Sequence, residues 1–144
     1  MEFDTRKLPG KEQLSASAPP GTQDTEPHEL PASLRFHIAD TGHTIMVSVR
    51  QVITIGRHDS AQGIRPDVDL APYRGYHFGV SRRHAIILRQ ANMLYVRSLN
   101  TTNGTTLNDQ SLMPGLEYPL HNGDDLVIGV LQLRVEMIPA QANV

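Results

Sequence analysis

The chain has 144 residues, enough for one domain with a hydrophobic core of its own. It contains no cysteine, which excludes disulfides and thiolate metal sites and makes a reducing, cytoplasmic setting the expectation. Its 13 basic residues against 15 acidic ones leave a net charge of −2, which argues against bulk electrostatic binding to nucleic acid.

Residues 1–31 read as a disordered acidic arm. "KEQLSASAPPGTQDTEPHELP" is rich in Ser, Pro, Thr and acids and shows no apolar period. The arm carries three basic residues, including both lysines of the chain, against six acids. Its start, "MEFDTRKLPG", lacks the apolar core of a signal peptide. Residues 32–139 carry ten arginines and nine acids. Arginine is the residue suited to gripping oxyanions with two parallel hydrogen bonds.

Periodicity changes at Leu34. Leu34, Phe36 and Ile38 alternate with Arg35 and His37, and "DTG" marks a turn before Ile45, Val47 and Val49. Ile53 and Ile55 lead to Gly56, "AIIL" follows Val80, and Leu94 and Val96 lie in "MLYVRSL". Leu131, Leu133, Val135 and Met137 alternate with polar residues near the end. Period two is the strand signature. "HDSAQG", "RQAN", "TTNG", "LND", "MPG" and "HNGDD" supply turns between the runs. Many short strands without an amphipathic helix predict one all-β domain over 32–139, an antiparallel sandwich or barrel, with 140–144 as a short tail. The longest apolar stretch, Leu126 to Leu131, is far too short for a membrane helix, and no membrane partner is expected.

Three segments at strand edges concentrate donors: "IGRHDS" at 55–60, "VSRRHA" at 80–85 and "TTNGTTLN" at 101–108. Arg57, Ser81, Arg82, Arg83, Thr102 and Asn103 offer guanidinium, hydroxyl and amide groups, and none is a carboxylate. Such a set suits a doubly charged oxyanion. Loops at one end of a rigid sandwich are where such groups can converge.

Taken in order, Gly56-Arg57, Ser81-Arg82-Arg83-His84 and Thr102-Asn103-Gly104-Thr105 with Asn108 resemble the forkhead-associated (FHA) domain. Gly123-Asp124 before a final hairpin is similar too, so the resemblance covers essentially residues 34–138. It implies a β-sandwich of about eleven strands that binds phosphothreonine peptides at loops of one end. On that resemblance Arg57 and Ser81 contact the phosphate, and Arg82 stands where a polar residue touches phosphate or peptide backbone. Arg83 matches a frequent basic position, Thr102 lines the phosphothreonine pocket, and Asn103 holds the peptide main chain. Gly56, His84, Gly104 and Asn108 match positions that shape the loops. The partner implied is a phosphothreonine-containing protein, either a Ser/Thr kinase or a substrate of one, and a monomer is expected.

The segment between Arg57 and Ser81 is longer than the family's usual connection, the excess being Ala71 to Gly79. Its aromatic residues either wall the peptide groove or cover an exposed sheet edge, and the second reading is preferred. A single small module with threonines in an N-terminal arm is also similar to bacterial FHA proteins whose arm a Ser/Thr kinase phosphorylates. That makes Thr22, Thr25 and Thr5 candidate phosphorylation sites for a switch in which the arm folds back into its own pocket.

Other classes are weaker. Ser81 and His84 have no acid placed to orient the imidazole, so a hydrolase triad is not expected and the protein is read as no enzyme. The 7 histidines show no HExxH or comparable spacing, so no metal and no cofactor are expected. "NGT" at 103–105 taken alone reads as a type I′ hairpin turn. The alternative function is a structural or scaffold FHA-like module that binds an unphosphorylated partner.

Overall fold

A computed structural model of the chain describes residues 30–140. Thr5, Thr22, Thr25 and most of the acidic arm lie outside the described residues. The alternating runs form eleven strands: β1 (Ser33–Ile38), β2 (Thr44–Ser48), β3 (Val52–Gly56), β4 (Val68–Asp69), β5 (Arg83–Gln90), β6 (Met93–Ser98), β7 (Thr105–Leu107), β8 (Gln110–Ser111), β9 (Glu117–Leu120), β10 (Asp125–Ile128) and β11 (Leu131–Ile138). Two short 3-10 turns, Ser60–Gln62 and Ala71–Tyr73, interrupt the long β3–β5 connection.

The strands make two sheets, β2-β1-β11-β10-β7-β8 and β4-β3-β5-β6-β9. Every pairing is antiparallel except β3 with β4, which is parallel. Period two explains which residues go inward. Leu34, Phe36 and Ile38 of β1 and Leu131, Leu133 and Val135 of β11 are buried from one sheet. Ile53, Ile55, Ala85, Ile87, Leu94 and Val96 meet them from the other. Each large side chain so buried contributes roughly 1.5–3 kcal/mol. That core is the rigid base for the loops.

Antiparallel register then sorts the connections to two ends. One end collects the last residue of β3, the first of β5, the last of β6 and the first of β7. The β10–β11 turn at Gly129-Val130 joins them, since Val130 N–H donates to the Phe78 carbonyl at 2.9 Å. The opposite end holds the β5–β6 turn and the β9–β10 turn, and Leu30 packs beside Asn92, Met93, His121 and Asn122 there. The described chain therefore enters at the end away from Arg57 and Ser81.

Candidate functional site

Arg57 follows a break in the β3–β5 register, which shifts between Ile55 and Gly56. The reason is close backbone approach: a Cβ on Gly56 would lie 2.0 Å from the Arg82 carbonyl oxygen. That same carbonyl accepts the Arg57 backbone N–H at 3.1 Å. The Arg57 side chain is held as well, because its Nε donates to the Val80 carbonyl at 2.9 Å. Its terminal amino groups find no hydrogen-bond partner among the described residues. A fixed guanidinium with its open edge exposed is a ready oxyanion donor.

His84 ties two of the donor loops together. Its ring is fully buried. Nδ1 accepts the Ser81 backbone N–H at 2.9 Å, which leaves Nε2 to donate to the Gly104 carbonyl at 2.7 Å. The imidazole is thus neutral with its proton on Nε2, and neither nitrogen faces the Ser81 hydroxyl. Burial pushes its pKa below the ordinary 6.5, against the opposing hydrogen bond to Gly104. The Gly104 carbonyl also accepts from Gly129 N–H, and Thr101 Oγ1 accepts Gly104 N–H at 2.8 Å. Gly104 itself has φ +78, which a side chain disfavours. The "NGT" turn is therefore a braced loop of the site. The hairpin with two positive-φ central residues lies instead at Asn108 and Asp109 (φ 49 and 70), between β7 and β8.

These braces leave an open depression of about 530 Å³ lined by Arg57, Tyr76, His77, Gly79, Val80, Ser81, Thr102 and Asn103. Among the described residues no carboxylate lines it. Asn103 Nδ2 donates to the Gly79 carbonyl at 3.0 Å, which leaves its other N–H and its carbonyl oxygen for a ligand. Gly79 at φ +80 allows that approach, since a Cβ there would lie 2.6 Å from Asn103 Nδ2. Four of the six expected binding residues thus share one cavity: Arg57, Ser81, Thr102 and Asn103.

Arg82 and Arg83 do not line this cavity. Arg82 Nη1 donates to Asp59 Oδ2 at 3.0 Å, and both arginines line a neighbouring depression. The expectation of a donor set without an acid is corrected by Asp59. Burial pushes the Asp59 carboxyl up, but the Arg82 guanidinium and the Gln62 backbone N–H outweigh that and hold it below the usual carboxylate value. The signal for Asp59 was present in "HDSAQG": it caps the 3-10 turn by accepting Gln62 N–H. Asn108 stands apart from the site. It shapes loops, but at the opposite end of β7, bonding Asp124 Oδ1 at 3.0 Å and accepting Asp125 N–H at 2.9 Å.

Tyr76 and His77 of the 71–79 segment belong to the site and had no motif to reveal them. The Arg57 guanidinium carbon sits 5.0 Å from the centre of the Tyr76 ring. It is β4 that covers the β3 edge, so the segment forms the cavity wall, the reading not preferred from sequence. Six large apolar side chains stand exposed among the described residues, and four of them, Tyr76, Met113, Leu116 and Val130, lie at this end. The loop bearing Met113 and Leu116 is fixed there by Gly115 N–H to the Ser98 carbonyl. Among the described residues no group of His, Asp or Glu is arranged to hold a metal, and no helix is long and apolar enough to cross a membrane.

The family model of the FHA domain matches residues 53–129. The chain belongs to the FHA domain family. It is 30% identical over 113 residues to Protein FraH of Nostoc sp. strain PCC 7120, covering 78% of this chain and 38% of that protein. To the FHA domain-containing protein FhaA of Mycobacterium tuberculosis it is 36% identical over 83 residues, 58% of this chain and 13% of that one. The chain therefore spans well under half the length of either relative. A structure solved in a structural and functional analysis of phosphothreonine-dependent FHA domain interactions matches with TM-score 0.55 at 30% identity, covering 74% of this chain and 98% of that one.

Proposed function

We propose that this FHA domain binds phosphothreonine-containing segments of other proteins and is not a catalyst. The observation that carries this reading is the cavity, lined by no carboxylate among the described residues, where a braced Arg57 guanidinium, Ser81, Thr102 and Asn103 converge. Phosphothreonine brings close to two negative charges and three acceptor oxygens at neutral pH. Three charge-assisted hydrogen bonds at about 1.5–3 kcal/mol each reach the range of micromolar binding. The donors are ordered before a ligand arrives, so little entropy is lost in fixing them. The solved relative's phosphothreonine dependence supports the same reading.

The test is a titration of the protein with a degenerate phosphothreonine peptide pool and the same pool unphosphorylated. Binding is expected only to the first, and equal binding to both overturns the proposal. A scaffold role with an unphosphorylated partner is favoured by one observation, the exposed Tyr76, Met113, Leu116 and Val130 at the same end of the sandwich as the cavity. An interaction that survives Arg57→Ala unweakened would select it.

The arm supplies a finer reading, in which a phosphorylated threonine of the chain occupies the pocket. Chain length limits which one. Leu30 lies at the far end of the sandwich, and β5 alone spans eight residues between the ends, roughly 25 Å. Thr25 is five residues before Leu30 and reaches at most about 18 Å. Thr22 is at the limit, whereas Thr5 has length to spare. Self-engagement therefore falls to Thr5 or, with the chain fully extended, to Thr22, and a phosphorylated Thr25 engages a second molecule. Phosphorylating the tail and measuring competition with an added peptide, in Thr5→Ala, Thr22→Ala and Thr25→Ala forms, separates the two.

A further inference from the structure

Ser81 is a shared wall. On one side lies the Arg57 cavity, and on the other a depression of about 280 Å³ lined by Gln62, Ile64, Ser81, Arg82 and Arg83. The second depression has a stiff outer wall: Asp59 and Ile64 exchange two backbone hydrogen bonds, 3.0 and 2.9 Å, and Asp59 caps the turn that carries Gln62. An oxyanion already sits at its edge, the Asp59 carboxylate on Arg82. Arg83 is exposed and pairs with no carboxylate among the described residues. Two guanidiniums and one internal carboxylate leave this depression with an excess positive charge.

We propose that Arg83, with Arg82 and the Gln62 amide, forms a second oxyanion subsite that takes an acidic residue of the ligand bound in the Arg57 cavity. The inference rests on the phosphothreonine reading and narrows the ligand class to segments with two anionic residues. Asp59 is the resident occupant on Arg82, and an incoming anion shares or takes over that guanidinium while Arg83 supplies the unmatched charge. A carboxylate and a second phosphoryl group present the same chemistry, so both are admitted and the test separates them. Because the two depressions meet at Ser81, an extended ligand crosses from one to the other within a few residues, each advancing about 3.3 Å.

The experiment titrates the full chain with synthetic peptides that carry one phosphothreonine in an alanine background. One aspartate, or in a second series one phosphoserine, is walked through the flanking positions. At one position affinity is expected to rise about 3–10-fold over alanine, the scale of a partly exposed charged pair, and to shrink with added salt. The readout is the ratio of acidic to alanine peptide, so a general loss of affinity does not imitate the result. That ratio falls toward one in Arg83→Gln. It rises in Asp59→Asn, where asparagine still caps the turn and Arg82 loses its internal partner. A gain in the phosphoserine series alone assigns the subsite to a second phosphate, and a gain in both assigns it to any acidic residue. No gain at any position, or a gain untouched by Arg83→Gln and Asp59→Asn, overturns the subsite while leaving the phosphothreonine reading standing. Absence of binding to every phosphothreonine peptide removes both.

Discussion

The two depressions that meet at Ser81 are built from similar residues and differ in one group. Arg57 has no acid beside it among the described residues: its Nε is tied to a carbonyl, and its remaining donors face an open cavity. Arg82 lies in the adjacent depression with Asp59 on its guanidinium at 3.0 Å. A guanidinium that already holds a carboxylate binds a new anion only by exchange, whereas an unmatched one gains the full charge-assisted bond. Counting arginines in "SRR" therefore overstates the donors available to a phosphate. The position of one aspartate decides it.

The largest expected effect tests that difference directly. Arg57→Ala removes the donors that no internal group replaces, and affinity for a phosphothreonine peptide is expected to fall at least about 100-fold, near 3 kcal/mol. Arg82→Ala removes donors already engaged by Asp59, and on a peptide with no second acid the loss is expected to stay within about threefold. Titrating both variants against one peptide checks the contrast. Equal losses would mean that Arg82 leaves Asp59 on binding and that the cavities act as one.

Next in size is the strut beneath both depressions. His84→Ala strands the Ser81 N–H and the Gly104 carbonyl and leaves a hole, for an expected cost of about 2–4 kcal/mol in denaturant unfolding. The same ring gives a pH dependence. Its folded pKa is depressed, so the unfolded chain binds the proton more readily. The strut's contribution is therefore complete above pH 6.5 and is lost as pH falls below it toward the lowered folded value. Stability measured at pH 7.5 and 5.5 should drop more in the wild type than in His84→Ala. Equal drops would assign the acid sensitivity to other groups.

How much of this was readable in the residues depends on distance along the chain. Strand-length alternation is local, and it disclosed the β1 and β11 core faces and the all-β class. The family motif placed Arg57, Ser81, Thr102 and Asn103 at strand edges, and the fold gathers them into one cavity. What failed was the inference from adjacency. Of the two depressions, Ser81 lines both, whereas Arg82 and Arg83 line the one beside Gln62, where Asp59 draws the Arg82 guanidinium away from Arg57. The Arg82–Asp59 pair spans 23 residues and two loops, and no local pattern encodes it. Asn108 follows the site loop closely in sequence, yet β7 carries it to the other end of the sandwich.

The smallest expected effect concerns the wall that the 71–79 segment adds to one depression and not the other. Tyr76 is 79% exposed, so its ring contributes little to folding, and its contact is with the Arg57 guanidinium at 5.0 Å. An exposed cation–π pair is worth about 0.5–1 kcal/mol, which corresponds to a two- to fivefold effect on affinity if the ring holds Arg57 in its binding pose. Tyr76→Ala should weaken phosphothreonine peptide binding by that factor without moving the thermal midpoint. Tyr76→Phe keeps the ring face and should bind as the wild type does. If phenylalanine fails as alanine does, the hydroxyl rather than the ring meets the ligand. If neither variant changes affinity, the segment closes the loop geometrically and the two cavities differ by Asp59 alone.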